Sequence, residues 1–203
     1  MSSRQRSSPK TRARLVAHLL CRDCEERINK FGEAPALALI NRGNTFPLFN
    51  RMRLAAPVWT LDQLATYSGR AMGFDIEALV YYALSLAWRG AVKEWKTLKG
   101  QTTTSTLEAH EEPIRQYLAG KATVPGNVFV VLTVCTDDAA QHIVNAPYPV
   151  QTPADVYLQI EMFVRGLWFI VLPVTRCRCT SDHFHCSAHQ PVRFISRTAP
   201  TRY

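Results

Sequence analysis

The sequence predicts an α+β protein in which helices come first and an antiparallel sheet follows. Three stretches carry that expectation: an apolar stripe at helical spacing after Asp75, the β-branched run "NVFVVLTVC" ending at Cys135, and the alternating stretch "VYLQIEMFV-RG-LWFIVLPV" from Val156 to Val174. The first has the 3.6-residue period of a helix packed on a core, and the other two have the pattern of strands. A run of helices followed by a run of strands is the order of an α+β domain.

Along the chain, Ser2 to Arg14 has no hydrophobic period and is expected to be flexible. Leu15 to Leu20 then leads into Cys21 and Cys24, and "DCEERINKF" reads as a short helix closed by Gly32, since glycine just past the last helical residue is the usual stop. "PALALINRG" has helical spacing, "NTFPLFNRMRLAAP" is punctuated by Pro47 and Pro57, and "TLDQLATYSG" is expected to form a short helical turn. From Asp75 as N-cap through Lys96, Ile76, Leu79, Val80, Ala83, Ala87, Ala91 and Trp95 recur on one face, widened by Leu84, Trp88 and Val92. After the polar break Thr102 to Ser105, "EEPIRQYLAG" places Pro113 in a first helical turn and Gly120 at a stop. In the last stretch Leu158, Ile160, Met162 and Val164 alternate with Tyr157, Gln159, Glu161 and Phe163, and Arg165-Gly166 is the expected hairpin turn. The expected organisation is a basic tail at 1–14, one α+β domain at 15–175 and a Cys/His-rich basic tail at 176–203.

Hydrophobic residues at 47% and charged residues at 20% suit a folded globular chain and argue against wholesale disorder. The net charge of +8 is concentrated at the ends: Arg4, Arg6, Lys10, Arg12 and Arg14 precede the first acid, Asp23, and Arg176, Arg178, Arg193, Arg197 and Arg202 surround only Asp182. Such ends favour polyanions through phosphate neutralisation and counterion release, although a solvated tail has the same composition. The acid-free, Arg- and Ser-rich start also matches an organelle presequence. The longest apolar runs, "VFVVLTVC" and "GLWFIVLPV", are strand-sized and far below the roughly 20 residues a membrane helix needs, so a soluble protein without a membrane partner is expected.

Cys21-x-x-Cys24 is a common metal half-site, because a two-residue spacer lets one turn present both thiolates to one ion; it also serves as a redox pair or as two small packed residues. A second cluster, "CRCTSDHFHCSAHQ", holds Cys177, Cys179, His183, His185, Cys186 and His189, and Cys186-x-x-His189 alone has half-site spacing. This tail either completes the site begun at Cys21 and Cys24 or binds its own ion. Cys and His spacings of this kind suit zinc in a reducing compartment, hence a cytoplasmic location, better than a disulfide framework. Trp88, Arg89, Lys93, Trp95, Lys96 and Lys99 mix bases and aromatics as single-strand binders do, yet both tryptophans fall on or beside the core stripe and the cations suit a helix C-terminus. "HEE" at His110 to Glu112 lacks the second histidine of a metalloprotease helix and reads as a surface helix start. Asp137, Asp138 and His142 read equally as metal ligands or as a polar loop. The sequence has no Gly-rich phosphate loop, nucleophile elbow or paired-carboxylate motif, so an unaided hydrolase is not supported.

"LLCRDCEERINKFGE" resembles the second metal knuckle of bacterial HNH-endonuclease-like proteins, a treble-clef element in which Leu-Leu-Cys-x-x-Cys-Glu/Asn is followed by a short helix and a glycine. "YYALSLAWRGAVKEW" and "EEPIRQYLAGK" are similar to the body of a bacterial group carrying that knuckle. The resemblance implies zinc ligation by Cys21 and Cys24. In an HNH enzyme a histidine base and a divalent ion act from a strand and an earlier Cys-x-x-Cys on the N-terminal side of the knuckle. Here only His18 lies before Cys21, no cysteine does, and Glu25 stands where asparagine is common, so no residue inherits a catalytic role. Either the chain is a shortened relative or its start lies upstream. The expected protein therefore binds zinc through Cys21 and Cys24, with Cys177, Cys179, Cys186 and His189 as further ligands. It contacts DNA or RNA through Arg12, Arg14, Arg22, Arg27 and Lys30, without cutting it alone. The rivals are an active metal-dependent endonuclease recruiting His18 or the tail histidines, and a structural interaction protein.

Overall fold

The computed structural model describes residues 19–40, 45–61, 64–93, 95–96, 102–103, 106–135, 142–151, 158–174 and 193–197. Among them the order is α1 (Arg22–Ile28), a π-helical turn (Asn29–Glu33), α2 (Ala34–Leu37), α3 (Pro47–Leu54), β1 (Trp59–Leu61), β2 (Leu64–Ser68), α4 (Ile76–Ala91), β3 (Trp95–Lys96) and β4 (Thr102–Thr103). A 3-10 turn (Glu108–His110) then leads into α5 (Glu111–Leu118), followed by β5 (Val128–Cys135), β6 (Tyr148–Gln151), β7 (Leu158–Val164), β8 (Leu167–Pro173) and β9 (Arg193–Arg197). The α+β class holds, with a seven-stranded sheet in the order β1-β2-β9-β5-β8-β7-β6. Its pairings are antiparallel except β5 with β9, which run parallel.

The elements with the strongest local signals form where expected. Asp75 caps α4, its carboxylate accepting the Ala78 N–H at 2.9 Å. Leu79 and Leu84 are fully buried, a gain of about 1.5–3 kcal/mol each by removal from water. Tyr82 meets Phe169 of β8 edge to face at 5.7 Å, so α4 lies on the sheet. Toward it β5 turns Val128, Val130, Leu132 and Val134, β7 turns Ile160, Met162 and Val164, and β8 turns Leu167, Phe169 and Val171. Arg165 (φ 45°) and Gly166 (φ 86°) both take the left-handed conformation, which matches the twist of the β7–β8 hairpin. At the end of α5 the N–H of Gly120 bonds the Tyr117 carbonyl and that of Lys121 bonds the Gln116 carbonyl, both at 2.9 Å, a Schellman stop with Gly120 at φ 71°.

Several expectations fail for reasons visible in the packing. Gly32 does not stop a helix: it is buried in the π turn that carries α1 into α2, with helical backbone at Ile28 and Ala34. A Cβ at Gly32 would stand 2.9 Å from Tyr81 Cδ1 and 3.1 Å from Tyr82 Cα and N, so its role is close approach to α4. "TLDQLATYSG" is strand, β1 and β2 with antiparallel pairing, because β9 offers β2 a partner from far along the chain. That pairing also puts strands ahead of α4, and it draws Arg193–Arg197, assigned by sequence to the basic tail, into the sheet between β2 and β5. The main helix ends at Ala91 rather than Lys96: Val92 is already 37% exposed, and Trp95 and Lys96 pair with Thr103 and Thr102. His110 is buried, not on a surface helix start, because it closes a 3-10 turn that follows fully buried Leu107.

Candidate metal and nucleic-acid site

Cys21 is the N-cap of α1, with extended backbone (ψ 163°), and its sulfur accepts the Cys24 N–H at 3.4 Å. Cys24 stands one turn along, so the two exposed Sγ atoms lie 3.1 Å apart and share a hydrogen bond. The contacts from the Cys24 thiol and then from its backbone N–H hold the Cys21 thiol below its ordinary value, whereas the same shared hydrogen bond pushes Cys24 up. Both sulfurs face the same side, as a two-cysteine half-site requires. A tetrahedral zinc with Zn–S bonds near 2.3 Å sets its sulfurs about 3.8 Å apart, a spacing two exposed side chains reach by small rotations. The pair therefore fits half of a zinc coordination shell. Among the described residues no third His, Cys, Asp or Glu joins it in a metal-sized group. The proposed tail ligands Cys177, Cys179, Cys186 and His189, with His183 and His185, lie outside the described residues, as do His18, Asp137 and Asp138. His142 is exposed.

The same helix carries the candidate phosphate contacts. Arg22 pairs with Glu26 at 2.9 Å, both highly exposed, an ion pair too screened to hold the arginine firmly. Arg27 and Lys30 each place their charge 5.4 Å from the centre of the half-exposed Phe31 ring, so cation, aromatic and cation stand together on one surface. Arg12 and Arg14 lie outside the described residues. Arg89, grouped by sequence with the basic end of α4, has a tying role instead: its guanidinium donates to Glu33 at 2.7 Å and to the Ser85 carbonyl at 3.2 Å, joining the π turn to α4.

What the sequence did not reveal is a cavity of about 340 Å³ beside Cys24. α1 supplies Asp23, Cys24, Arg27 and Ile28, α4 supplies Trp88, and α5 with the turn after it supplies Arg115, Leu118, Ala119 and Lys121. The Arg27 guanidinium packs over Gly120, where a Cβ would stand 2.9 Å from Arg27 Cζ and nearer still to its Nη1. Arg115 is held by both oxygens of Glu112 at 2.6 Å, and this hydrogen bonding depresses the Glu112 carboxyl to about 2. The remote spacing of α1, α4 and α5 hides such a site from sequence.

Compared with known proteins, the chain matches no family model, no curated protein and no solved structure. Among the described residues no helix is long and apolar enough to cross a membrane.

Proposed function

We propose that the chain is a zinc-binding, nucleic-acid-associated protein of HNH-related type that binds rather than cuts. The observation that carries this is the exposed Cys21–Cys24 pair, with sulfurs 3.1 Å apart, at the start of the helix that presents Arg27 and Lys30 around Phe31. Zinc held by the two thiolates and by ligands from the Cys/His tail supplies structure: it anchors the first helical turn so that its cations keep a fixed register. Arg22, Arg27 and Lys30 then neutralise phosphates, with Arg12 and Arg14 extending the contact. A cytoplasmic setting keeps the thiols reduced. The proposed role stops at binding because no residue of the sequence inherits the catalytic place of an HNH enzyme.

The test is fluorescence anisotropy of labelled DNA and RNA against zinc-loaded protein across a salt series. Binding strongest at low salt is expected, with Arg27→Ala and Lys30→Ala each weakening it and lowering the log–log salt slope by about 1. Absence of binding to either nucleic acid at low salt overturns the reading in favour of an interaction protein. Plasmid cleavage with added Mg²⁺, Mn²⁺ or Zn²⁺ that His18→Ala abolishes overturns the non-cleaving part.

A further inference from the structure

The cavity beside Cys24 joins two kinds of wall that seldom serve one structural purpose. Its floor is apolar, with Leu20, Ile28 and Leu118, and its rim carries Arg27, Arg115 and Lys121 against the single acid Asp23. At about 340 Å³ it falls within the range of small-molecule sites, about 300–1,000 Å³. Arg115 is paired with Glu112, whose carboxylate also feels the charge of Lys121, whereas Arg27 forms no ion pair with a carboxylate among the described residues. The rim is therefore a net cation, continuous along α1 with the Arg27–Phe31–Lys30 surface.

Trp88, only 9% exposed, adds an aromatic side chain to this lining. A bare hydrocarbon chain satisfies the floor but not the cationic rim, and a bare phosphate satisfies the rim but not the floor. A nucleotide meets both: phosphate for the rim, and a flat base for the apolar floor beside Trp88.

We propose that this cavity receives one unstacked nucleotide of a single strand, its phosphate against Arg27 and Lys121 and its base beside Trp88. The inference rests on the nucleic-acid reading above and adds the substrate form: a single strand or a frayed end rather than an intact duplex.

The experiment compares AMP, UMP, a single-stranded oligonucleotide and a duplex by calorimetry and anisotropy, using the full chain and the variants Ala119→Phe and Lys121→Ala. Ala119→Phe fills the cavity without altering charge, and Lys121→Ala changes only an exposed side chain, so it serves if the first variant folds poorly. The mononucleotides are expected to bind and to compete with the single strand, and each variant is expected to weaken both about tenfold, the scale of one lost hydrogen bond to a charged group. For Ala119→Phe, duplex binding is expected to stay near that of the parent. Duplex binding with no mononucleotide or single-strand preference, or unchanged mononucleotide binding in both variants, overturns the cavity inference and leaves the nucleic-acid reading standing. No binding to duplex or single strand at low salt overturns both.

Discussion

Replacing Gly32 by alanine sets two effects against each other. Alanine is the better helix former by about 0.8–1 kcal/mol, and nothing in the backbone at Gly32 demands glycine's left-handed conformation. Against that, the new Cβ meets Tyr81 Cδ1 at 2.9 Å and the Tyr82 backbone at 3.1 Å. Two of those atoms are main chain of a buried helix, and the third belongs to a ring held by its hydroxyl, which donates to the Leu118 carbonyl at 2.6 Å, and by Tyr117 at 5.4 Å. None yields freely, so the cost lies toward the upper part of the about 1–3 kcal/mol seen for overpacked cores. The expected net is a destabilisation of about 1–2 kcal/mol, read as a lower urea midpoint and a thermal midpoint about 2–8 °C lower for a chain of this size. Gly126→Ala is the comparison: a Cβ there meets nothing within 4 Å, and stability is expected to hold or rise slightly. If Gly32→Ala proves as stable as the parent, the close approach of the π turn to α4 is refuted.

Three further outcomes follow from particular contacts. Asp75→Ala removes the cap of α4 and is expected to cost about 1 kcal/mol in urea unfolding. Tyr81→Phe leaves the Leu118 carbonyl without its hydroxyl donor and is expected to cost about 1–2 kcal/mol, with local amide exchange rising at the end of α5. Burial holds the His110 imidazole below its ordinary value, so the fold favours the neutral form; the stability this gives is full above about 6.5 and is lost as pH falls through the folded value. Stability is therefore expected to fall more between neutral and mildly acid pH in the parent than in His110→Gln, and equal slopes would contradict the buried neutral histidine.

The legible parts of the fold were those whose cause is local. Pro113 and Gly120 bracket α5, Asp75 starts α4, and Arg165-Gly166 turns the β7–β8 hairpin, each through the conformational demands of a few residues. Gly32 misled because the same residue serves a helix stop and a close helix contact, and only Tyr81 and Tyr82, some fifty positions on, decide between them. "TLDQLATYSG" misled because short segments take the structure their partner imposes, and the partner, Arg193–Arg197, lies near the other end of the chain. His110 read as part of a surface helix start; a 3-10 turn after buried Leu107 places it inside. The site divides the same way. Cys21 and Cys24 are visible in sequence because two thiols on one helical turn need only their own spacing, and the cavity is not, because it exists only once α1, α4 and α5 have packed.

Zinc content of the native protein, measured by elemental analysis beside Cys21→Ser and Cys186→Ser, tests the metal site most directly. Bound zinc is expected in the parent and is expected to be lost on Cys21→Ser, and lost also on Cys186→Ser if the tail closes the same shell. A full zinc complement retained in Cys21→Ser, or no zinc in the parent after purification with the metal present, contradicts that expectation.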